Sequence, residues 1–163
     1  MTTVAELSAF AQLASLGQAE LRVLAGIARD TSYSDGHRLI TEGAAAHRCW
    51  LIRRGRVLLD THVPGRGDIV VQTLAAGDVL GWSWLVPPYR WRFGACAAGP
   101  VEAIEFDARA LTRFASADAE FGRALTLMLF EALLDRLQAT RARLLDLYRN
   151  PGDARVRDER GSA

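Results

Sequence analysis

The sequence predicts a mainly β domain with flanking helices, and three observations along the chain support this fold class. Residues 1–30 carry apolar side chains at helical spacing, residues 33–106 carry short β-prone runs between glycine-centred turns, and residues 118–149 return to a long helical period. A chain of 163 residues is long enough for one domain that folds without disulfides or metal ions. We therefore expect one domain over residues 1–149 and a flexible tail over residues 150–163.

The first region is predicted to form two short helices. Its apolar positions follow a helical period and are Leu7, Phe10, Leu13, Leu16, Leu21, Leu24 and Ile27. The period pauses at Ser15-Leu16-Gly17, so the second helix is expected to begin near Gln18.

The second region is predicted to form a β structure of many short strands. The candidate strands are HRLIT, RCWLIRR, RVLLDTHV, DIVVQTL, DVLGW, FGACA and VEAIEF. The segment Pro64-Gly65-Arg66-Gly67-Asp68 between two of them is a suitable hairpin tip. Short strands at intervals of about ten residues indicate a sandwich, a jelly roll or a barrel.

The third region is predicted to form one long helix. From Asp118 to Tyr148 there is no proline, and Gly122 is the only glycine. About thirty residues at 1.5 Å per residue give a rod of about 45 Å, which exceeds what one small β domain covers. The helix carries a wide apolar band, so we expect it to form a parallel or crossing helix dimer; the alternative is a helix packed wholly on its own domain. Asn150-Pro151-Gly152 is predicted to end it.

Charge and hydropathy exclude several classes of protein. The chain has 20 basic and 19 acidic residues and a net charge of +1, whereas a dedicated nucleic-acid binder carries a basic excess. Every basic residue is arginine, a bias that GC-rich codon usage explains; arginines also suit bidentate anion contacts. The chain starts without the features of a signal peptide and has no apolar run of about 18 residues. These features predict a cytoplasmic protein that makes no membrane contact.

Glycines and apolar residues recur in an order that resembles a known family. The matching pieces are Tyr33-x-x-Gly36-x-x-Leu39-Ile40-x-Glu42-Gly43, Trp50-Leu51-Ile52-x-x-Gly55-x-Val57, Leu74-x-x-Gly77-Asp78-Val79-Leu80-Gly81 and Val101-Glu102-Ala103-Ile104. With the long helix, residues 7–149 resemble the cyclic nucleotide-binding domain of the catabolite-activator and fumarate–nitrate regulators. The resemblance implies a double-stranded β-helix (jelly roll) with N-terminal helices and a long C-terminal dimerisation helix.

The resemblance also implies a ligand-binding segment. In the family, a glycine–glutamate pair opens a phosphate-binding cassette, the glutamate holds the ribose hydroxyl, and an arginine some ten residues later pairs with the cyclic phosphate. Here Gly81 matches, but Trp82 stands at the glutamate position, and an indole only donates hydrogen bonds. Arg92 matches the phosphate arginine and Phe93 replaces the small residue after it, while Arg90 competes with Arg92 if the loop is shifted by two residues.

This segment, residues 81–93, is called the cassette below. The resemblance implies cyclic AMP or cyclic GMP as a possible effector, weakened by Trp82, because a lost ribose contact costs about 1–3 kcal/mol, or roughly one to two decades of affinity. The predicted ligand-binding residues are Gly81, Trp82, Ser83, Trp84, Arg90, Arg92 and Phe93.

Aromatic residues are concentrated in the cassette, and their role has more than one interpretation. Five aromatic residues lie there: Trp82, Trp84, Tyr89, Trp91 and Phe93. They either pack into the roll and fill its pocket, or form a stacking site for a planar, nucleotide-like ligand or an apolar site for a hydrophobic effector. In the binding alternatives, Arg90 and Arg92 supply the anion contact, with cation–π support from Trp91.

Other chemistries find less support. A metal-dependent cupin enzyme needs clustered ligands, but His37, His47 and His62 lie in separate segments. Haem sensing needs a ligand such as His62, Cys49 or Cys96, and both cysteines are predicted to be buried thiols rather than redox sensors. No signature of a nucleophilic catalyst is present, so no enzyme, metal or certain cofactor is predicted.

Transcription factors of this family continue into a winged helix-turn-helix domain, for which the residues after Arg149 leave no room. We therefore expect no direct DNA binding. The sequence predicts a stand-alone sensor module with a small-molecule effector, a homodimeric state and an unknown protein partner. The alternative is a ligand-free dimeric scaffold for protein interaction.

Overall fold

The structure, a computed structural model, describes residues 1–149. It confirms the predicted fold class, because these residues form two antiparallel β sheets with flanking helices. The strands are β1 Ala28–Tyr33, β2 Arg38–Ile40, β3 Arg48–Arg54, β4 Val57–Val63, β5 Gly67–Leu74, β6 Val79–Leu80, β7 Gly94–Ala97 and β8 Val101–Asp107. The helices are α1 Val4–Ser8, α2 Gln18–Ile27, α3 Ala108–Ala117 and α4 Ala119–Arg149, with a short 3-10 turn over Ala11–Leu13.

The two sheets have four strands each, in the orders β1-β8-β3-β6 and β2-β7-β4-β5. Sequence neighbours are therefore divided between the sheets, and the cassette connects β6 of one sheet to β7 of the other. The predicted hairpin joins β4 and β5, with Val63 paired to Gly67 across the turn. The cassette thus lies at a crossover between the sheets.

Strand β1 differs from the sequence prediction, which placed helices up to residue 30 and began the β region at residue 33. The helix ends at Ile27, and β1 pairs with β8 from Ala28 opposite Phe106 to Tyr33 opposite Val101. The segment ARDTSY has no apolar alternation that would mark it as a strand. Its strand conformation follows from pairing with β8, a long-range contact that local periodicity does not reveal.

The long helix predicted over residues 118–149 is confirmed as α4 Ala119–Arg149, and a separate helix that was not predicted, α3 Ala108–Ala117, precedes it. Asp107 caps α3 by accepting a hydrogen bond from the Ala110 N–H at 3.0 Å. Asp118 then caps α4 by accepting from the N–H groups of Glu120 and Phe121 at 2.9 and 3.1 Å. Each aspartate satisfies amide groups that a helix start leaves unpaired, so α4 begins with only Asp118 between it and the end of α3.

Two glycines show why corners of this fold need that residue. Gly55 has φ +92° and lies against the backbone of Pro100, so a Cβ there would collide with the Pro100 carbonyl. Gly81 has φ +87°, and a Cβ would lie 2.9 Å from the ring of Trp91. Both positions require the left-handed backbone and the absence of a side chain.

The hydrophobic core unites the sheets with the N-terminal helices and the start of α4. Its fully buried members include Leu7, Leu51, Ile52, Leu80 and Ile104. The predicted leucine period of the first region contributes directly, since Leu13, Leu21 and Leu24 are buried in this cluster.

The described residues divide into one compact unit over Met1–Leu129 and a second that begins at Phe130. Within the first unit, α4 buries Phe121, Leu125, Met128 and Leu129. Within the second, large apolar side chains are exposed: Phe130, Leu133, Leu134, Leu137, Leu144, Leu145 and Tyr148. The predicted helix end at Asn150-Pro151-Gly152 and the predicted flexible tail lie outside the described residues.

Candidate functional site

The cassette is held to a loop between β2 and β3 by backbone hydrogen bonds. The Trp91 N–H donates to the Ala44 carbonyl at 2.9 Å, and the Ala46 N–H donates to the Tyr89 carbonyl at 2.8 Å. The Gly43 N–H donates to the Trp91 carbonyl at 2.8 Å. The second half of the cassette therefore has a fixed backbone path, which the sequence did not reveal because its partner lies about 45 residues earlier.

The first part of the cassette is buried. Gly81, Ser83 and Trp84 are all buried, and the Trp84 indole N–H donates to the Gly81 carbonyl at 3.1 Å. The Ser83 hydroxyl is buried without a hydrogen-bond partner among the described residues. These three predicted ligand-binding residues lie side by side, with Trp84 turned into the core.

The five cassette aromatics divide by burial. Trp84 and Trp91 are in the core, Trp82 and Phe93 are half-buried, and Tyr89 is exposed. The burial of Trp84 and Trp91 agrees with the interpretation in which the aromatic residues pack into the roll. The half-buried members, Trp82 and Phe93, retain exposed surface.

Trp91 is the centre of an aromatic cluster. Its ring centroid lies 6.1 Å from that of Trp50 and 6.4 Å from that of Phe93. Phe93 in turn meets Trp82 edge-to-face, with centroids 6.2 Å apart. These spacings are typical of attractive aromatic pairs, so the cluster joins β3 to both ends of the cassette.

Both cassette arginines are exposed. An Arg90 guanidinium N–H donates to the Gly43 carbonyl at 2.8 Å, and an Arg92 guanidinium N–H approaches the Pro87 carbonyl at 3.4 Å. Neither arginine forms an ion pair with a carboxylate within residues 1–149. Two positive charges without a counter-charge therefore flank Trp91.

A buried carboxylate beneath this cluster was missed by the sequence analysis. Glu105 on β8 is 7% exposed and accepts hydrogen bonds from the Trp50 indole at 3.1 Å and the Tyr33 hydroxyl at 3.2 Å. The Arg48 guanidinium completes the group at 3.3 Å. Burial, chiefly, raises the pKa of Tyr33. The only sequence signal was a glutamate within the apolar strand VEAIEF, and its partners depend on the strand pairing.

A second buried carboxylate lies beside the end of the cassette. Asp60 on β4 is 6% exposed and accepts hydrogen bonds from one Arg38 nitrogen at 2.7 and 2.8 Å. This hydrogen bonding raises the pKa of the Arg38 guanidinium. Asp60 is paired in register with Gly94, where a Cβ would collide with the Asp60 carboxylate. Gly94 thus leaves room for the ion pair directly after Phe93.

The two cysteines differ in their surroundings. Cys49 is buried, and burial raises the pKa of its thiol to about 12. It lines an apolar cavity of about 20 Å³ together with Trp84 and Leu125, which is room for little more than one water molecule. Cys96 is half-buried, and its thiol donates to the Gly36 carbonyl at 3.3 Å, so the prediction of two fully buried thiols is correct only for Cys49.

The histidines are separated, as their spacing predicted. A ring nitrogen of His62 lies 2.9 Å from Asp68, and one of His47 lies 2.9 Å from the Ala45 carbonyl. Residues 1–149 contain no group of three histidine, cysteine, aspartate or glutamate side chains placed to hold a metal ion. Nor is any helix in that range long and apolar enough to cross a membrane.

Comparison with protein-family models identifies the family to which the β roll belongs. The model described as "Cyclic nucleotide-binding domain" matches residues 30–118, which is more than half of the chain. The chain belongs to the cyclic nucleotide-binding domain family. The resemblance read from the glycine and apolar pattern is thereby confirmed, and the match covers the entire cassette.

Solved structures share the fold of this cyclic nucleotide-binding domain. A putative cyclic nucleotide-binding protein from Geobacter metallireducens superposes with a TM-score of 0.76 at 24% identity, covering 84% of this chain and 99% of that one. A cyclic nucleotide-binding domain from Methylobacillus flagellatus has a TM-score of 0.72 at 20% identity, covering 80% and 74%.

A further similar structure carries a ligand. The regulatory domain of Toxoplasma gondii PKA, crystallised with cAMP, has a TM-score of 0.67 at 18% identity and covers 79% of this chain and 48% of that one. No curated protein matches. Identities below 25% establish a shared fold, and the effector of this cyclic nucleotide-binding domain is a separate question.

Proposed function

We propose that this chain is a regulatory module that binds a small anionic, nucleotide-like effector beside the cassette and signals through dimerisation of α4. The observation that carries the proposal is the pair of exposed guanidiniums, Arg90 and Arg92, which lack carboxylate partners within residues 1–149. A guanidinium binds a phosphate with two parallel hydrogen bonds, so either arginine suits an anionic ligand.

The half-buried ring pair beside these arginines supports a planar ligand. Trp82 and Phe93 keep part of their surface exposed, and Arg92 lies next to Phe93 in the chain. The anion would pair with Arg92 and the base would contact Trp82. Trp82 replaces the glutamate that holds the ribose in the family pattern, so the ribose hydroxyl would lose that acceptor.

Thermal shift assays with cyclic AMP and cyclic GMP test the effector site. We expect both nucleotides at millimolar concentration to raise the melting temperature of the wild type. The Arg92→Ala variant should lose the shift, whereas Arg66→Ala, in the exposed β4–β5 turn, should retain it. No shift with either nucleotide, or equal shifts in both variants, would contradict the proposed effector class.

A gain-of-function variant sharpens the same test. Trp82→Glu restores the acceptor for a ribose hydroxyl, so its affinity for cyclic AMP should rise by roughly one to two decades. Trp82→Leu is the matched control, because leucine is close to glutamate in size and offers no hydrogen-bond acceptor. Isothermal titration calorimetry measures both affinities, and an unchanged Trp82→Glu affinity would place the ribose elsewhere.

The dimerisation part of the proposal is supported by the exposed face of α4. Exposed apolar side chains of α4 lie at alternating spacings of four and three residues, and one position of that series, between Leu137 and Leu144, is not apolar. They are Phe130, Leu134, Leu137, Leu144 and Tyr148. That spacing is typical of a coiled-coil seam. A seam of this kind gives the effector an element on which to act, provided that the ligand has different affinities for two helix arrangements.

Light scattering tests the helix dimer. Wild-type protein at micromolar concentration should have the mass of a dimer, and Leu137→Glu should convert it to a monomer by placing a charge in the seam. Gln138→Glu, one residue further along the same helix, is the matched control and should stay dimeric. A monomeric wild type would contradict this part of the proposal.

The alternative is a dimeric scaffold that binds no ligand. Trp84 and Trp91 favour it, because both fill core volume beside the cassette. It predicts a dimer in light scattering together with no thermal shift for any nucleotide, so the two experiments distinguish the proposals.

A further inference from the structure

A groove lies on the side of the cassette that faces α3. Its volume is about 540 Å³, within the range of small-molecule sites. It is lined by the loop before β3, by the cassette residues Trp84, Leu85 and Tyr89, and by the first turns of α3. The cassette arginines Arg90 and Arg92 are not among its lining residues. This groove is therefore a different surface from the effector site proposed above.

The groove carries one permanent charge, on Arg109, and none of the described residues that line it is acidic. Arg109 is exposed and forms no ion pair within residues 1–149. The groove therefore offers a guanidinium whose hydrogen-bond donors are free to meet an anion.

The neighbouring polar groups already have partners. One His47 nitrogen lies 2.9 Å from the Ala45 carbonyl, which can only accept, so this nitrogen is the donor. The Thr112 hydroxyl donates to the Ala108 carbonyl at 2.8 Å. Arg109 is the side chain of the groove with a permanent positive charge, and its guanidinium donates to no protein group within residues 1–149.

The other part of the lining is apolar and aromatic. Trp84 is 5% exposed and forms a buried wall, whereas Leu85 and Tyr89 are 40% and 52% exposed. An exposed tyrosine ring beside a buried indole suits a flat apolar body, since aromatic pairs gain from edge and face contacts. A hydrophilic anion such as inorganic phosphate would leave this surface uncovered.

Backbone hydrogen bonds hold the groove in shape. The Ala46 N–H donates to the Tyr89 carbonyl at 2.8 Å, which ties the loop to the cassette. The Ala108 N–H donates to the His47 carbonyl at 3.0 Å, which ties the same loop to α3. All three walls are therefore linked, and a ligand would not have to order them.

From these observations we infer that the groove binds a small aromatic anion, with a flat apolar body and one carboxylate or sulfonate group. The acid group pairs with the Arg109 guanidinium, and the ring lies against Tyr89 and Leu85. This is a second ligand site on the chain, because it uses Tyr89, Leu85 and Trp84 rather than the aromatic cluster of Trp91.

Fluorescence titration with two related dyes tests the site. The probe is anilinonaphthalene sulfonate, an aromatic anion, and the control dye is phenylnaphthylamine, its neutral analogue without the sulfonate. The wild type should bind the anionic dye at least tenfold more tightly than Arg109→Ala, because a charge-assisted pair is lost. The neutral dye should bind both proteins equally. Arg113→Ala, on the same helix and outside the groove lining, is the matched control and should bind like the wild type.

Each result has a distinct meaning. Equal affinity of Arg109→Ala and Arg113→Ala for the anionic dye would overturn the inference, as would no binding by the wild type. Loss of dye binding in Arg92→Ala, with Arg109→Ala unchanged, would also overturn it and would place the anion at the cassette arginines. Dye binding that depends on Arg109 while cyclic nucleotides give no thermal shift would support this site and contradict the effector site. Melting curves of each variant show that the fold is retained.

Discussion

The two ends of the cassette and its middle differ in what holds them. At the ends, Gly81, Trp84 and Trp91 are buried and contact the core around β3. In the middle, residues 85–90 are exposed, and backbone hydrogen bonds tie Tyr89 to the preceding loop. Apolar side chains occur in both parts, so hydrophobicity alone does not indicate which of them pack. The ends fix the path of the segment, and the middle presents side chains to ligands.

The largest expected effect is the loss of an aromatic side chain from a buried end. Trp91→Ala should lower the free energy of unfolding by about 3–5 kcal/mol, since it removes a 4% exposed ring and leaves a cavity between Trp50 and Phe93. Tyr89→Ala is the control from the middle, and its effect should stay within about 0.5 kcal/mol. Urea unfolding at equilibrium measures both values.

Similar losses of unfolding free energy in Trp91→Ala and Tyr89→Ala would contradict this difference between the ends and the middle of the cassette. They would mean that Tyr89 packs as Trp91 does, and the groove beside it would then be a structural contact rather than a surface available to a ligand.

The order of elements could be predicted from the sequence because local patterns determine it. Short β-prone runs between glycine-centred turns predicted the strands from β2 onward, and helical spacing predicted α2 and α4. The exception is β1, whose polar segment ARDTSY becomes a strand only through its pairing with β8. The start of α4 was predicted within one residue, but α3 Ala108–Ala117 was not predicted as a separate helix.

The candidate site could be predicted only in part. The chain position of Arg92 and the aromatic concentration were evident, whereas the burial of Trp84 and Trp91 and the partial exposure of Trp82 and Phe93 were not. All four rings are large and apolar, and which of them are buried depends on the three-dimensional packing.

The partners of the two buried carboxylates were missed for a related reason. Arg38 and Asp60 are 22 residues apart in the chain, and Trp50 and Glu105 are 55 apart. Strand register brings each pair together, and register follows from the whole sheet rather than from either segment. The only local signal was a carboxylate next to apolar residues in a strand, and β8 carries two glutamates, Glu102 and Glu105, so the pattern did not single out the buried one.

Gly81 and Gly65 test the same difference between packed and open positions of the chain. Gly81→Ala should lower stability by about 2–4 kcal/mol, because its φ of +87° disfavours a side chain and the new Cβ would lie 2.9 Å from Trp91. Gly65→Ala has a similar φ of +81° and open space around it, so only the backbone term of about 1–2 kcal/mol applies. Thermal or urea unfolding measures the stability loss of both variants, and the difference between the two losses gives the packing contribution at Gly81. Equal losses would show that Trp91 moves aside without cost.

The smallest predicted effect concerns pH and tests whether water reaches the buried end of the cassette. The folded state keeps Cys49 protonated up to a pKa of about 12, whereas its ordinary value is 9.0. Above about pH 9 the unfolded chain therefore loses a proton that the folded chain retains, which favours unfolding. The stability that the neutral thiol contributes is fully present below pH 9. Above pH 9, the free energy of unfolding falls by up to about 1.4 kcal/mol per pH unit.

Cys49→Ala separates this titration from that of other groups. Its stability should decline less steeply between about pH 9 and pH 10.5 than that of the wild type, whatever its stability at neutral pH. Cys96→Ala, at the half-buried thiol, should keep the wild-type slope. Parallel declines for Cys49→Ala and the wild type would mean that the Cys49 thiol ionises in the folded state near its ordinary pKa. Water would then reach the cavity beneath Trp84, and the buried end of the cassette would be less closely packed than its burial indicates.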